Sequence, residues 1–471
     1  MNKFFITNAI PYVNAKPHIG HALEFIQSDT IARYHRLLQE EVVLLCGGDE
    51  NALKNVQAAE SFGEDVQTFV DKHTELFRKL AEKLNVKFDI WQKGSSKSHH
   101  TSSQKLWELC LSNGDIYKKS YKGLYCVGCE SFYTLQELNE KGECFEHPGK
   151  KLEEVEEENY FFKLSKYQDY LIEIIEKDDY QIIPEFRKNE ILAFLKSGLE
   201  DFSISRSNQR AKNWGVPVPN DPTQRIYVWF DALNIYQSGI GFGIDQEKYN
   251  KYWPADLHVI GKGIIRFHAV YWPAILKSAG LELPKKLFVH EYFTVNGQKM
   301  SKTLGNVYDP LPLIEKYGAD PLRYFCLAKI SPFQDGDFSQ EKFIEGYNSD
   351  LANGLGNLVA RVAKLCEKHN IKASELPLSF DPKLEEPLKQ FKFNDALSHI
   401  WKEIADADKK INEEKPWELD GEKAKTALED YVKRIQHIGF NLQPFLPQTA
   451  EKILNQFSGK IKVNDPLFPR I

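Results

Sequence analysis

A chain of 471 residues is too long for one compact core, so about two to four domains are expected. With 42% hydrophobic and 13% aromatic residues it can bury substantial cores, and no apolar run is long enough to span a bilayer. The formal net charge of −6 gives no general signal for nucleic acid, although a large protein can still carry a local basic face. The N-terminus enters a strand pattern at once, without a signal-like segment, and a cytoplasmic location is the default expectation.

Phe4 to Asn8 reads as a short apolar strand, Pro11 and Asn14 suit a loop, and Leu23, Ile26, Ile31 and Tyr34 share one helical face. Pro17-His18-Ile19-Gly20-His21 stands at that helix entry, where α/β proteins hold phosphates. The helix start is expected to offer unpaired backbone N–H groups, with two imidazoles beside them and Gly20 keeping side chains out of the way. A plain loop with two surface histidines is the alternative. Val42 to Cys46 is a continuous apolar run, as in a parallel strand covered on both faces, and it ends in Gly47-Gly48-Asp49-Glu50. Carboxylates at such a strand end lie where doubly wound folds bind ligands, and a helix-capping Asp explains them equally well. Phe88 to Trp91 suggests a further strand and Ser102 to Leu111 a helix.

Seven cysteines are present, and three of them cluster. Cys126 and Cys129 form one ligand pair, Cys144 and His147 a second, and soft thiolates with an imidazole at this spacing favour tetrahedral Zn²⁺ with no open position. A redox Cys-x-x-Cys is the competing reading. The acidic run Glu153 to Glu158 reads as a solvated surface. Tyr227 to Tyr236 is densely aromatic, as core segments are. A strand over Leu257 to Ile260 meets Gly261-Lys262-Gly263, and a helix carrying Phe267, His268 and Trp272 follows. Phe288 to His290 and Phe293 to Val295 look like strands, and Asn296-Gly297 is a hairpin turn signal. Lys299-Met300-Ser301-Lys302-Thr303 comes next, a polar loop that could be ordinary surface. Beyond Asp309-Pro310 the pattern is helical: Leu313 to Leu327, Phe343 to Cys366, Phe391 to Ile411 and Thr426 to Leu442.

Pro17-His18-Ile19-Gly20-His21 and Lys299-Met300-Ser301-Lys302-Thr303, on either side of a cysteine-bearing insertion, resemble the two signature motifs of class I aminoacyl-tRNA synthetases. Within that class the chain is similar from end to end to the methionyl-tRNA synthetases. Asn8 to Asn14, the single cysteine knuckle, Tyr227 to Ala232, Phe267-His268-Ala269 and Asn412 to Trp417 carry that likeness. The resemblance implies an α/β fold: a Rossmann-type parallel-sheet catalytic domain, a zinc-binding insertion and a C-terminal α-helical anticodon-binding domain. Segments are expected at 1–115 and 226–298 for the catalytic halves, 116–225 for the insertion, 299–340 for the lysine loop and connection, and 341–471 for the helical domain.

By the same resemblance His18, Gly20 and His21 grip ATP phosphates, Lys299 and Lys302 neutralise them, and Gly261 and Lys262 lie along the nucleotide. Asp49 meets the methionine ammonium and pairs with Arg206, while Ile10, Tyr12, Trp229, Ala232, Tyr236, Ile264 and His268 line the thioether cavity. Asn357, Arg361 and Trp417 match anticodon-reading positions, and Cys126, Cys129, Cys144 and His147 hold the structural zinc. The implied partners are tRNA(Met), L-methionine and ATP with Mg²⁺. The helical domain ends with the chain at Ile471, which favours a monomer.

Gly48, Asn51 and Ala52 replace the family's frequent Thr, His and Gly, and Gly263 stands where Asp is common. Both phosphate lysines are nevertheless present, which argues against a catalytically silent tRNA-binding relative. A class I synthetase for another apolar amino acid is the enzymatic rival.

Overall fold

The computed structural model describes residues 2–126, 131–133, 135, 138–145, 149–300, 306–373 and 378–471. Cys129, His147 and Lys302 lie outside them. The chain divides into two compact units. Met1–Pro17, Glu41–Lys79 and Phe88–His290 form the first, and His18–Glu40, Leu80–Lys87 and Glu291–Ile471 the second.

The first unit is built on a six-stranded, all-parallel sheet. Its strand order is Ile90–Lys93, Glu41–Gly48, Lys3–Asn8, Leu257–Gly261, Lys286–His290 and Gln181–Ile183. The central strands are buried along nearly their whole length, which explains their unbroken apolar runs. Strand order reverses direction beside Lys3–Asn8, whose residues Ile6 to Asn8 pair with Leu257 to Val259. Carboxyl ends of strands at such a switch point open onto a crevice. The edge strand Gln181–Ile183 is an addition that its short sequence did not suggest.

An antiparallel ladder joins Ile116–Cys126 to Glu153–Phe162, flanked by Ser131–Tyr133 and Phe202–Ser203. The acidic run is therefore strand as well as surface. Glu154, Glu156 and Glu158 are exposed while Val155 is buried and Glu157, on its face, is half-buried, and Lys118 and Lys122 of the neighbouring strand lie 3.8 Å from Glu158 and 3.9 Å from Glu154. The aromatic run forms two short helices, Val228–Leu233 and Ile235–Ser238.

In the second unit the Asn296-Gly297 turn has φ of +52° and +75°, the left-handed pair that a tight hairpin turn demands. It joins Phe293–Val295 to Gln298–Lys299, and Gly336–Phe338 adds a parallel strand. The helix expected over Leu313 to Leu327 is interrupted: Gly318 at φ +86° separates Leu311–Tyr317 from Ala319–Tyr324, and a wider turn, Phe325–Lys329, follows. Gln340–Gly346, Asn357–Lys368, Pro382–Lys389, Phe393–Glu414, Gly421–Leu442 and Pro447–Gln456 are the helices of the C-terminal region among the described residues, with a wider helical stretch over Tyr347–Gly356.

One ion pair fixes the interior of this unit. Arg323 and Asp29 are both fully buried, 2.8 Å apart. Asp29 also accepts from the Arg33 Nε at 2.7 Å and the Lys87 backbone N–H at 3.1 Å. The Arg323 guanidinium donates to the carbonyls of Phe445 at 2.7 Å and Pro444 at 3.0 Å. Breaking a buried pair from one side leaves an uncompensated charge. Asp29→Ala is therefore expected to cost about 3–5 kcal/mol in chemical denaturation followed by far-UV dichroism, and a loss below about 1 kcal/mol would show that water or another group replaces the carboxylate.

Candidate active site

In the first unit the loop after Lys3–Asn8 lies beside the end of Glu41–Gly48. Tyr12 forms an isolated bridge to Asp49, whose backbone N–H donates to the Pro11 carbonyl at 2.9 Å. The Tyr12 ring meets Trp229 edge-on at 6.1 Å, and Trp229 stacks flat on Phe267 at 3.7 Å and 4°. Lys54 Nζ sits 3.2 Å above the Tyr12 ring centre. Trp229, Ala232, Tyr236 and His268 are all buried, and Ile10, Tyr12 and Ile264 are half-buried.

Two hydrogen bonds fix the state of His268. Its Nδ1 lies 2.9 Å from the Ile264 carbonyl, which can only accept, so Nδ1 carries the proton and Nε2 accepts from the Tyr236 hydroxyl at 2.7 Å. Burial pushes the His268 pKa down to about 4. The wall contributed by this imidazole is uncharged.

Arg206 is buried; its Nη1 donates to the Ser205 carbonyl at 2.7 Å and the Ser203 hydroxyl at 2.9 Å, and its guanidinium lies 4.5 Å from the Tyr227 ring centre. Gly261 closes its strand, and Lys262–Ile264 makes one tight turn in which Gly263 is exposed.

Glu50, read from sequence as part of a carboxylate pair, has a structural post. Its side chain accepts from the Thr74 hydroxyl at 2.6 Å and from the Ser95 N–H at 3.0 Å and Oγ at 2.5 Å. Asn51 donates through Nδ2 to the Gly94 carbonyl at 2.8 Å and to Asp231 Oδ2 at 2.6 Å. Asp231 Oδ1 accepts from His99 Nε2 at 2.6 Å and Ser103 Oγ at 2.9 Å, and Ser238 Oγ lies 2.8 Å from His99 Nδ1. Burial alone would raise the Asp231 pKa, yet His99 and the Asn51 amide hold it below the usual carboxylate range. This cluster was missed in the sequence; a lone Asp231 inside an aromatic run was the available signal.

In the second unit His18 caps the helix Ile19–Leu37. Its Nδ1 accepts from the Gly20 N–H at 3.1 Å, and its own N–H donates to His21 Nδ1 at 3.1 Å. Both Nδ1 atoms therefore accept, which places the proton of each neutral ring on Nε2. The rings lie 3.9 Å apart. The expectation of unpaired backbone donors is corrected: the Ile19 N–H is taken by the Tyr308 carbonyl at 3.0 Å and the Gly20 N–H by His18. Gly20 is needed for a nearer reason than a ligand. A Cβ there would stand 2.9 Å from His18 Cε1 and 3.4 Å from Met300 Cε.

Lys299 is exposed at the end of the hairpin, and its carbonyl accepts from Asn306 Nδ2 at 3.1 Å. Asp337 braces the turn before it, accepting from the Gly297 N–H at 2.7 Å and the Thr294 hydroxyl at 2.8 Å. Farther along the chain, Arg361 lies 4.7 Å from the Trp417 ring centre and donates to Asn412 Oδ1 at 2.6 Å. Asn357 is exposed one turn before Arg361 on the same helix face. Lys415, in the left-handed region at φ +47°, ends Phe393–Glu414 and leaves Trp417 37% exposed.

Of the proposed metal ligands, Cys126 and Cys144 are described and both are buried. Cys144 Sγ lies 3.5 Å from the Tyr133 hydroxyl. Among the described residues no group of three or more His, Cys, Asp or Glu is placed to hold a metal ion.

The sequence family described as tRNA synthetases class I (M) matches residues 4–363. A methionine–tRNA ligase of Thermotoga maritima is 41% identical over 476 aligned residues, spanning 97% of this chain and 75% of that protein. The chain belongs to the class I methionyl-tRNA synthetases. One of Brucella suis is also 41% identical, over 96% of this chain and 91% of its own length. The fold superposes on Mycobacterium tuberculosis methionyl-tRNA synthetase in complex with methionyl-adenylate with a TM-score of 0.92, at 36% identity and covering 100% of both chains. The free form of that synthetase gives 0.83 at 33% identity, covering 100% of this chain and 98% of its own.

Because its pKa falls from 6.5 to about 4, His268 stays neutral in the folded chain through weakly acidic conditions. The unfolded chain takes up the proton first, so the stability that this group contributes is complete above about pH 6.5 and is lost as pH falls toward 4. Histidine-resolved NMR at pH 5 is expected to show a neutral His268 ring, and an imidazolium there would contradict the burial and the tautomer.

Proposed function

We propose that the chain is a methionine–tRNA ligase that activates L-methionine with ATP and passes the methionyl group to tRNA(Met). The observation that carries this reading is likeness over the full length of the chain to a synthetase solved with methionyl-adenylate. A methionine carboxylate is ionised at neutral pH and attacks the α-phosphorus without a general base. Catalysis then needs alignment and neutralisation of the leaving pyrophosphate. The adenylate next yields its methionyl group to the 2′-hydroxyl of the terminal ribose, and AMP departs.

His18 and His21 donate from Nε2 to phosphate oxygens, and Gly20 makes room for the His18 ring. Lys299 and Lys302 supply positive charge to the phosphates, Mg²⁺ enters bound to ATP, and Gly261 and Lys262 flank the nucleotide. Asp49 receives the methionine ammonium, with Arg206 as its partner. Ile10, Tyr12, Trp229, Ala232, Tyr236, Ile264 and His268 hold the thioether, which is recognised by shape and soft contact with rings. A neutral His268 suits that task. In the helical region Trp417 stacks on an unpaired anticodon base while Asn357 and Arg361 address polar edges.

In methionine-dependent exchange of pyrophosphate into ATP, methionine should outperform leucine, valine and cysteine. A stronger response to any of those would defeat the assignment. Lys302→Ala should abolish the exchange with the fold intact, and Trp417→Ala should weaken tRNA charging at least tenfold more than exchange.

The donor set fits a structural zinc: Cys126 and Cys144 are 2% and 1% exposed although Phe145 is 68% exposed, and buried thiolates with an imidazole suit Zn²⁺. Cys126, Cys129, Cys144 and His147 would hold it, and it would fasten the knuckle without entering the reaction. Metal analysis of the purified chain should give about one zinc per chain. A zinc-free, fully folded preparation would refute the site.

A further inference from the structure

The buried cluster around Asp231 lies behind the residues assigned to methionine and has no part in the reaction as described. Asn51, Asp231, His99, Ser103 and Ser238 are 7% exposed or less. Asp231 stands in Val228–Leu233, the helix that bears Trp229 and Ala232, and Asn51 follows Asp49 by two residues. A hydrogen bond of 2.6 Å, from Asn51 Nδ2 to Asp231 Oδ2, thus fastens the loop of Asp49 to the helix of Trp229.

The amide orientation is forced. Both atoms facing it, the Gly94 carbonyl and the Asp231 carboxylate, only accept, so the NH₂ group must point at them. Among the described residues Asn51 Oδ1 is then buried without a hydrogen-bond partner. A side chain kept where half of its polar capacity goes unused is there for its donors. The amide NH₂ gives two hydrogens from one atom, whereas each imidazole nitrogen gives at most one, so histidine cannot reproduce both contacts from this place. Asp49 is tied from its other side as well: Asn55 Nδ2 donates to its carbonyl at 2.8 Å, and its N–H reaches the Pro11 carbonyl at 2.9 Å. His99 and Ser103 hold Asp231 from the helix Lys97–Ser112, so the tether is stiff at both ends.

We infer that Asn51 is a positioning residue for the amino acid: through Asp231 it sets the spacing between the carboxylate that meets the methionine ammonium and the aromatic wall that meets the thioether. This rests on the ligase reading above. The tether lies wholly in the first unit, between the loop of Asp49 and the helix of Trp229, so its loss acts on methionine and spares ATP.

Pyrophosphate exchange with the full chain tests this, varying methionine and ATP separately for the unsubstituted protein, Asn51→Ala and Asn51→His. Expected is a rise of about tenfold in the methionine KM of Asn51→Ala, an intermediate rise for Asn51→His, and an ATP KM within about twofold for both. A methionine KM unchanged in Asn51→Ala, or methionine and ATP parameters worsening together with the melting temperature, overturns the inference. If Asn51→Ala does not fold, Asn51→His decides alone, since it keeps one donor: a selective rise supports the tether, and wild-type behaviour overturns it. An unsubstituted chain without methionine-dependent exchange would instead sink the ligase reading itself.

Discussion

The carboxylate of Asp29 fixes the second unit. Three donors from different parts of the chain converge on it: Arg33 one turn along its own helix, the Lys87 backbone and the Arg323 guanidinium. Arg323 in turn holds the carbonyls of Pro444 and Phe445, next to the helix Pro447–Gln456. Charges this deep tolerate little displacement, because any movement exposes one partner to a low-dielectric interior without its counter-charge. Asp29 and the His18–His21 cap belong to the same helix, so one buried pair sets the register of an element whose start carries these two histidines.

The first unit solves a different problem. On the function proposed above this unit receives a thioether, which has almost no polar handle and is met best by an apolar, shaped and uncharged surface. The aromatic wall of Tyr12, Trp229 and Phe267 supplies shape, and the locked Tyr236–His268 pair presents a neutral imidazole. The charged and strongly polar groups that build the wall are turned away and satisfied among themselves: Glu50 by Thr74 and Ser95, and Asp231 by His99, Ser103 and Asn51. Segregating polarity behind the pocket keeps its face soft while its frame stays rigid.

Much of this was legible in the residues. The apolar run at Phe4 marked a short strand, the continuous one at Val42 a parallel strand covered on both faces, and Asn296-Gly297 a hairpin turn that the backbone adopts. Other features left no periodic trace. Gln181–Ile183 is three residues long, too short for a pattern, and it joins the sheet only through tertiary pairing with Lys286–Phe288. Gly318 lies inside an apolar periodicity that continues on both sides, so the helix break is invisible until the turn at φ +86° is seen. Glu50 and Asp49 are adjacent carboxylates with the same local signature, and only the approach of Thr74 and Ser95 shows that Glu50 is held as a structural acid. Gly20 was read as space for a nucleotide, whereas the nearest claimant to that space is the imidazole two residues before it.

The closed start of the helix Ile19–Leu37 has a consequence for how this protein can change over evolutionary time. Phosphate sites made of backbone N–H groups survive most substitutions, because every residue except proline supplies the same donor. Here the first amides are already engaged by His18 and the Tyr308 carbonyl, and the grip proposed for this site falls to imidazole side chains. Such a grip can be tuned or erased by a single codon. The two histidines also orient one another, so the exchange of either disturbs the tautomer and placement of its neighbour, and the pair is expected to be kept or lost as one character.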